Sequence, residues 1–191
     1  RTLLTTNQSP DLFFDTSLNP YRGCEHGCIY CYARPTHEYL GFSAGLDFES
    51  RILVKQDAPE LLRKELSSRR WKPQSVAIGT VTDPYQPVER RLEITRRGLE
   101  VFAEFRNPLS IVTKSALVTR DIDVLAKLVP FDAAHVNVSI TTLDRNLHRI
   151  MEPRSATPER RLGAIEALAQ AGIPVSVMVA PIIPEIGRAH V

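Results

Sequence analysis

An α/β fold built on a parallel sheet is what this sequence predicts, and three observations carry the prediction. Short, apolar, β-branched runs alternate with longer amphipathic stretches. The runs have the length and composition of strands buried on both faces. Polar and special residues collect just past their C-terminal ends, where α/β folds carry function.

The elements follow in order. A first strand is expected around 13–17, ahead of a cysteine-bearing loop, and a helix over 58–68 leads to a strand at 75–80. The next helix, 87–105, places Val88, Leu92, Leu99 and Phe102 at mixed three- and four-residue spacings, with charged residues between. A strand at 109–114 precedes a short helix at 121–128, for which Thr119 is the expected cap. After a strand at 135–141, the helix 157–171 has Thr157 to cap it, Pro158 at its first position and Gly172 beyond its end. The last strand is 174–182.

Such alternation implies right-handed βαβ units. Five parallel strands fit an open doubly wound sheet or part of a barrel, and both gather function on one rim. That rim would hold the cysteine loop, then Thr80, Thr82 and Asp83, then Lys114, Ser139 and finally Ala180. No glycine-rich nucleotide fingerprint follows any strand. Asn137 and Ser139 share a strand face, and a polar inward face favours a lined cavity over a dry core.

With 191 residues, 43% of them apolar, the chain can bury one substantial core. Its net charge of +2 is too small to argue for nucleic acid or a membrane surface. No apolar run is long enough to span a bilayer and no signal peptide opens the chain, so a cytoplasmic protein is expected. The chain begins at Arg1, and the natural start is expected upstream. Residues 185–191 read as one frame of a common sequencing adapter. Positions 1–184 are therefore taken as one incomplete core and 185–191 as a non-native tail, with Glu185 at the junction.

All three cysteines, Cys24, Cys28 and Cys31, fall within "NPYRGCEHGCIYCYARP". An odd, clustered set in a reducing compartment points to metal rather than disulfides. Structural zinc would need a fourth ligand, such as His26 or His37. A cubane iron–sulfur cluster on three thiolates would keep one iron open. Spacing alone leaves both readings standing.

The CX3CX2C spacing, with Tyr30 before the third cysteine and a loop after the first strand, resembles the radical S-adenosylmethionine (AdoMet) superfamily. From Asn19 to Pro184 the chain is similar to its branch related to spore photoproduct lyase. The resemblance implies a partial (β/α)6 TIM-like barrel, here incomplete at the C-terminus, with about five of six units. It implies a [4Fe–4S] cluster on Cys24, Cys28 and Cys31, and AdoMet chelating the fourth iron. It also implies reductive cleavage of AdoMet to a 5′-deoxyadenosyl radical that takes hydrogen from a substrate. The electron would come from a reductant of the flavodoxin or ferredoxin type. At matched positions, Tyr30 would lie near adenine, Lys114 would meet the methionine carboxylate and Ser139 would hydrogen-bond AdoMet. Thr80 would serve the methionine amino end, and the Ala180 backbone would border adenine.

Each residue has a plainer reading. Lys114 is otherwise a solvated strand end, Ser139 a backbone-bonded serine and Tyr30 a packing aromatic. Arg154 in "MEPRS" reads either as an anion clamp or as an ion-pair partner of Glu152. The chain departs from the lyase branch at "AIGTVTDPYQP", which lacks the cysteine that the lyase uses to return hydrogen to the repaired thymine. The rival readings are a DNA photoproduct lyase and a non-catalytic zinc or iron–sulfur module.

Overall fold

Strands enter the main sheet in chain order in the computed structural model, which describes residues 3–10, 12 and 14–182. β1 (Thr5–Thr6) runs antiparallel to β2 (Thr16–Leu18), and a separate ribbon pairs β3 (Tyr21–Arg22) with β4 (Leu53–Val54). From β2 the sheet continues in parallel through β5 (Val76–Ile78), β6 (Leu109–Thr113), β7 (Ala134–Ser139) and β8 (Val175–Met178). The order never reverses, so there is no switch point of the doubly wound kind. Right-handed crossovers then carry their helices over one face of the sheet. Of the two expected architectures, the partial barrel is the one formed.

Strand register separates two faces. Leu18, Ile78, Ile111, Val136 and Val175 lie level with one another on the outer face. All but half-buried Val175 are buried in one apolar cluster, under Leu62 of α2 (Ala58–Leu66, after the short α1, Leu46–Ser50), Phe102 and Leu168. Burying each such side chain is worth about 1.5–3 kcal/mol. The inner face is small and polar: Ser17, Ala77, Ser110 and His135 lie level, then Asn137 and Ser176. Asn137 Nδ2 donates to Ser110 Oγ at 2.9 Å, and His135 Nε2 lies 2.9 Å from Ser176 Oγ. The polar lining expected from Asn137 and Ser139 therefore extends across several strands.

The remaining helices follow the prediction with three corrections. The expected helix 87–105 is two helices, α3 (Glu89–Leu92) and α4 (Ile94–Phe105), because Glu93 between them has φ +51°. A single left-handed residue is enough to turn the axis. The expected helix 121–128 shortens to α5 (Ile122–Leu125), preceded by a 3₁₀ turn (Ala116–Asp121). Ser115 caps that turn, its Oγ accepting from Leu117 N, whereas α5 starts after Asp121 with no side-chain cap; Thr119, expected to cap it, donates back to Ala116 O. A helix absent from the prediction, α6 (Arg145–Met151), is capped by Asp144. α7 (Pro158–Gln170) has Thr157 as its cap and Gly172 at φ +73° after it, as expected. The first strand of the parallel series is β2, slightly later than the expected 13–17, and Phe13 is outside the described residues, as is the whole of the 185–191 tail.

β8 pairs only with β7 among the described residues. Val177 lies level with Val138 on the helix-covered face, yet is 50% exposed where Val138 is fully buried. Val179 and Ile182 beyond it are exposed as well. An unpaired apolar edge recruits other edges. Residues 1–191 expressed alone are expected to self-associate in light scattering. A stable monomer would show that β8 is not an open edge.

Candidate metal centre

The cysteine loop follows β2 and is held almost wholly by groups other than its thiols. Cys24 N donates to Phe48 O at 2.9 Å, and Ile29 N to Met151 O at 3.0 Å. Arg34 places two nitrogens on Cys28 O, at 3.1 and 2.9 Å, and reaches Glu49 at 2.5 Å. The Gly23 carbonyl accepts from Thr82 Oγ1 at 2.5 Å and Gln86 Nε2 at 3.3 Å. Gly27 sits at φ +69°, where a Cβ would run into the Arg154 guanidinium. Only glycine takes this conformation without strain and leaves that space.

Asp83 joins this loop to the rim of the sheet. Its Oδ1 accepts from Tyr85 N at 2.8 Å and Thr113 Oγ1 at 2.7 Å. Its Oδ2 accepts from Lys114 N at 2.7 Å and faces His26 Nδ1 at 3.3 Å. Burial would raise the Asp83 pKa, but His26 and the donated hydrogen bonds hold it at about 2. Burial would likewise lower His26, yet the Asp83 carboxylate outweighs it and His26 is pushed up to about 10. The Cys24 sulfur acts on the imidazole in the same direction, so His26 links Asp83 to the cysteine loop. His37 is fully buried, with Nε2 3.0 Å from Arg51 O and its ring against Phe48. No three His, Cys, Asp or Glu side chains among the described residues gather around a single-ion site.

The three thiols are free; Cys24 and Cys28 are buried and Cys31 is half-buried. Burial pushes the Cys28 thiol up to about 12, Glu152 adds to the effect, and the Cys24 and Cys31 sulfurs raise it further, while Lys114 opposes them. Burial also raises Cys31. The three thiols share one loop, without gathering to a single-ion geometry among the described residues. Such a set suits cationic iron shared among them, as in a cluster held by three cysteines.

Of the other expected residues, the structure brings Lys114 to Tyr30 and Thr80 to Tyr32 of this loop. The Lys114 ammonium stands 5.7 Å from the centre of the Tyr30 ring, within cation–π range. The Tyr30 hydroxyl lies 3.1 Å from Thr141 Oγ1 and donates to Glu152. Ser139 is buried at the end of β7, and its carbonyl accepts from Arg161 at 2.8 Å. Thr80 follows β5, with Oγ1 2.9 Å from Asn19 Nδ2, and its carbonyl accepts from the Tyr32 hydroxyl. Ala180 lies exposed beyond β8.

Sequence reasoning missed the network beneath Tyr30. Glu152 and Arg161 are a buried ion pair. Arg161 also donates to Ala156 O at 2.7 Å and Ser155 Oγ at 2.5 Å, and Thr141 donates to Glu152 at 2.8 Å. Burial would raise the Glu152 carboxyl, but Arg161 and the Tyr30 hydroxyl hold it below the usual carboxylate range. The expected Arg154–Glu152 pair does not form. Arg154 instead pairs with Glu49 and donates to Glu25 O.

The sequence model of the radical SAM superfamily matches residues 18–191. A protein of Mycobacterium tuberculosis strain H37Rv is 42% identical over 173 residues, which are 91% of this chain and 51% of that protein. A radical SAM Nα-GlyT isomerase of Pseudomonas phage M6 is 29% identical over 168 residues, 87% of this chain and 33% of the isomerase. Spore photoproduct lyase complexed with a dinucleoside spore photoproduct superposes with TM-score 0.69 at 21% identity, over 98% of this chain and 51% of the lyase. A form of that lyase with bound AdoMet and the dinucleoside superposes with TM-score 0.64 at 21% identity, over 88% and 46% of the two chains. The chain thus spans about half the length of the mycobacterial relative and of the lyase.

Proposed function

Because this chain belongs to the radical SAM superfamily, we propose that its cysteine loop and strand rim are the cofactor-binding part of a radical enzyme. Cys24, Cys28 and Cys31 hold a [4Fe–4S] cluster, and AdoMet lies between it and the strand ends. When bound, this pair supplies one-electron chemistry that takes hydrogen from a substrate. The chain's own residues bind and orient. Lys114 meets the AdoMet carboxylate by a charge-assisted bond. Tyr30 borders the adenine, with its ring fixed from below by Glu152 and Thr141. Ser139 and Thr80 offer hydroxyls from β7 and from the loop after β5, and the Ala180 backbone closes the adenine side.

The observation that supports this most is Lys114 over the Tyr30 ring, with both Lys114 and Glu152 acting on Cys28. Lys114 is half-buried at the end of β6, on the side of the sheet where the cysteine loop lies. Lys114→Ala is expected to weaken AdoMet binding to the reconstituted protein by about 1.5–3 kcal/mol in titration calorimetry. Unchanged affinity with the cluster intact would return Lys114 to the surface.

A lesion lyase is not the reading taken, since the chain's three thiols are all assigned to the cluster and none follows β5. The site requires a one-electron donor of the flavodoxin or ferredoxin type. No helix among the described residues is long and apolar enough to cross a membrane.

A further inference from the structure

The Glu152–Arg161 ion pair bears on the cysteine loop electrically as well as structurally, because its two ends have different surroundings. Glu152 Oε1 accepts from the Tyr30 hydroxyl and from Thr141 Oγ1 at 2.8 Å, so the carboxylate faces the loop. Arg161 donates to Ser139 O at 2.8 Å and Ala156 O at 2.7 Å, so the guanidinium is held at the end of β7 and the turn before α7. Ile29 N donates to Met151 O at 3.0 Å, which sets Glu152, the next residue, against the stretch that follows Cys28. The pair is a fixed dipole with its negative end toward the cysteine loop.

Three basic groups bear on that negative charge. Arg161 locks it in place, with both side chains 1% exposed. His148 Nε2 lies 3.8 Å from Glu152 Oε2, but burial and the Arg161 guanidinium hold its pKa below the ordinary value, so it adds little charge at neutral pH. Lys114, over the Tyr30 ring, stands on the loop side. Glu152 and Lys114 act on Cys28 in opposite senses: the carboxylate works against negative charge there and the ammonium in its favour.

We propose that Glu152 sets the reduction potential of the bound cluster: its carboxylate, locked by Arg161, is a fixed negative charge beside the Cys28 ligand and makes the reduced cluster a stronger reductant. The inference rests on the reading that Cys24, Cys28 and Cys31 hold the cluster. In the couple concerned, the cluster gains one electron from a one-electron donor, which is oxidised by one equivalent; no bond forms or breaks and no proton moves. Net charge around a cluster is among the factors that set its potential. A negative charge nearby disfavours the added electron, and a cluster that is harder to reduce gives its electron up more readily. Within a protein, one unit charge at this range is worth about a tenfold factor in such an equilibrium.

The test is a redox titration of reconstituted protein without AdoMet, read by electron paramagnetic resonance of the reduced cluster. It compares wild type with Glu152→Gln, Glu152→Asp and Lys114→Met. Glu152→Gln keeps the shape and an oxygen for Tyr30 but drops the charge. Its equilibrium is expected to shift about tenfold toward the reduced cluster, a rise of about 59 mV for a one-electron couple. Lys114→Met removes a positive charge and should move the potential the other way. Glu152→Asp keeps the charge and should stay closer to wild type than Glu152→Gln does, which a role in packing alone would not produce. An unchanged potential in Glu152→Gln overturns the inference. So does a shift of the same sign in Glu152→Gln and Lys114→Met, or an equal shift in Glu152→Gln and Glu152→Asp. Should Glu152→Gln fail to fold, the double variant Arg161→Met with Glu152→Gln, which strands no charge, takes its place. It should shift the same way by less, and an unchanged potential there overturns the inference too. Failure of the cluster reading looks different: wild type itself would give no reduced-cluster signal to titrate, and the inference would fall with it.

Discussion

Cys28→Ala is expected to abolish the complete cluster: reconstituted protein loses its visible iron–sulfur absorption and its capacity to cleave AdoMet. The same holds for Cys24→Ala and Cys31→Ala, because no spare thiol exists elsewhere in the chain. The loss should be one of iron and not of fold. Cys28 is fixed through its carbonyl, by Arg34, and a change at Cβ leaves those bonds in place. Far-ultraviolet circular dichroism should therefore match wild type while iron content falls. Full retention of iron and absorption in Cys28→Ala would sink the cluster assignment.

Arg161→Met carries the largest expected stability loss. Both side chains of the Arg161–Glu152 pair are 1% exposed. Removing the guanidinium strands a buried carboxylate and leaves the Ser139 and Ala156 carbonyls without a donor that they now have. About 3–5 kcal/mol is the usual cost of breaking a buried pair from one side. Urea unfolding measures it, and the double variant Arg161→Met with Glu152→Gln should recover a good part, since the stranded charge is then gone. The pH dependence has a definite sign. The folded-state pKa of Glu152 is depressed, so its contribution is fully present above the unfolded carboxylate value of about 4.3 and is lost as pH falls through the folded value. In Arg161→Met burial acts on Glu152 unopposed by the guanidinium, so the gap should narrow as pH falls through the carboxylate range and the stranded group takes up its proton. A gap that does not change with pH would mean that the loss comes from packing alone.

The parallel strands and longer helices were legible because burial imposes a pattern on the residues themselves. The run at 109–114 must be apolar to lie between neighbours, and Thr157-Pro158 with Gly172 brackets α7 by backbone chemistry alone. The thiols were legible through their spacing. What stayed hidden depends on partners far away in the chain. β1, β3 and β4 have two residues each, too short for periodicity to register. Glu93 breaks a helix by adopting a conformation that its sequence neighbourhood does not announce. Arg161 sits among charged residues in "PERRLGA" and reads as a solvated side chain; only the fold brings Glu152 and the end of β7 to it. Asp83 and His26 were visible as polar residues near the rim, but their pairing joins positions 57 residues apart.

The carboxylate of Asp83 has a kinetic consequence. It takes bonds from the Tyr85 and Lys114 amides and the Thr113 hydroxyl and faces His26, so it ties together the loop after β5, the end of β6 and the cysteine loop. None of these pieces can open without breaking the same carboxylate contacts. The Tyr85 and Lys114 amides should then exchange with deuterated solvent at one shared rate, as members of one cooperative unit. That unit is secured by a carboxylate and not by sulfur, so it stands whether or not the thiols hold iron. If the thiols hold the proposed cluster, a chain stripped of it is expected to be a mould and not a ruin, refilled without first being refolded.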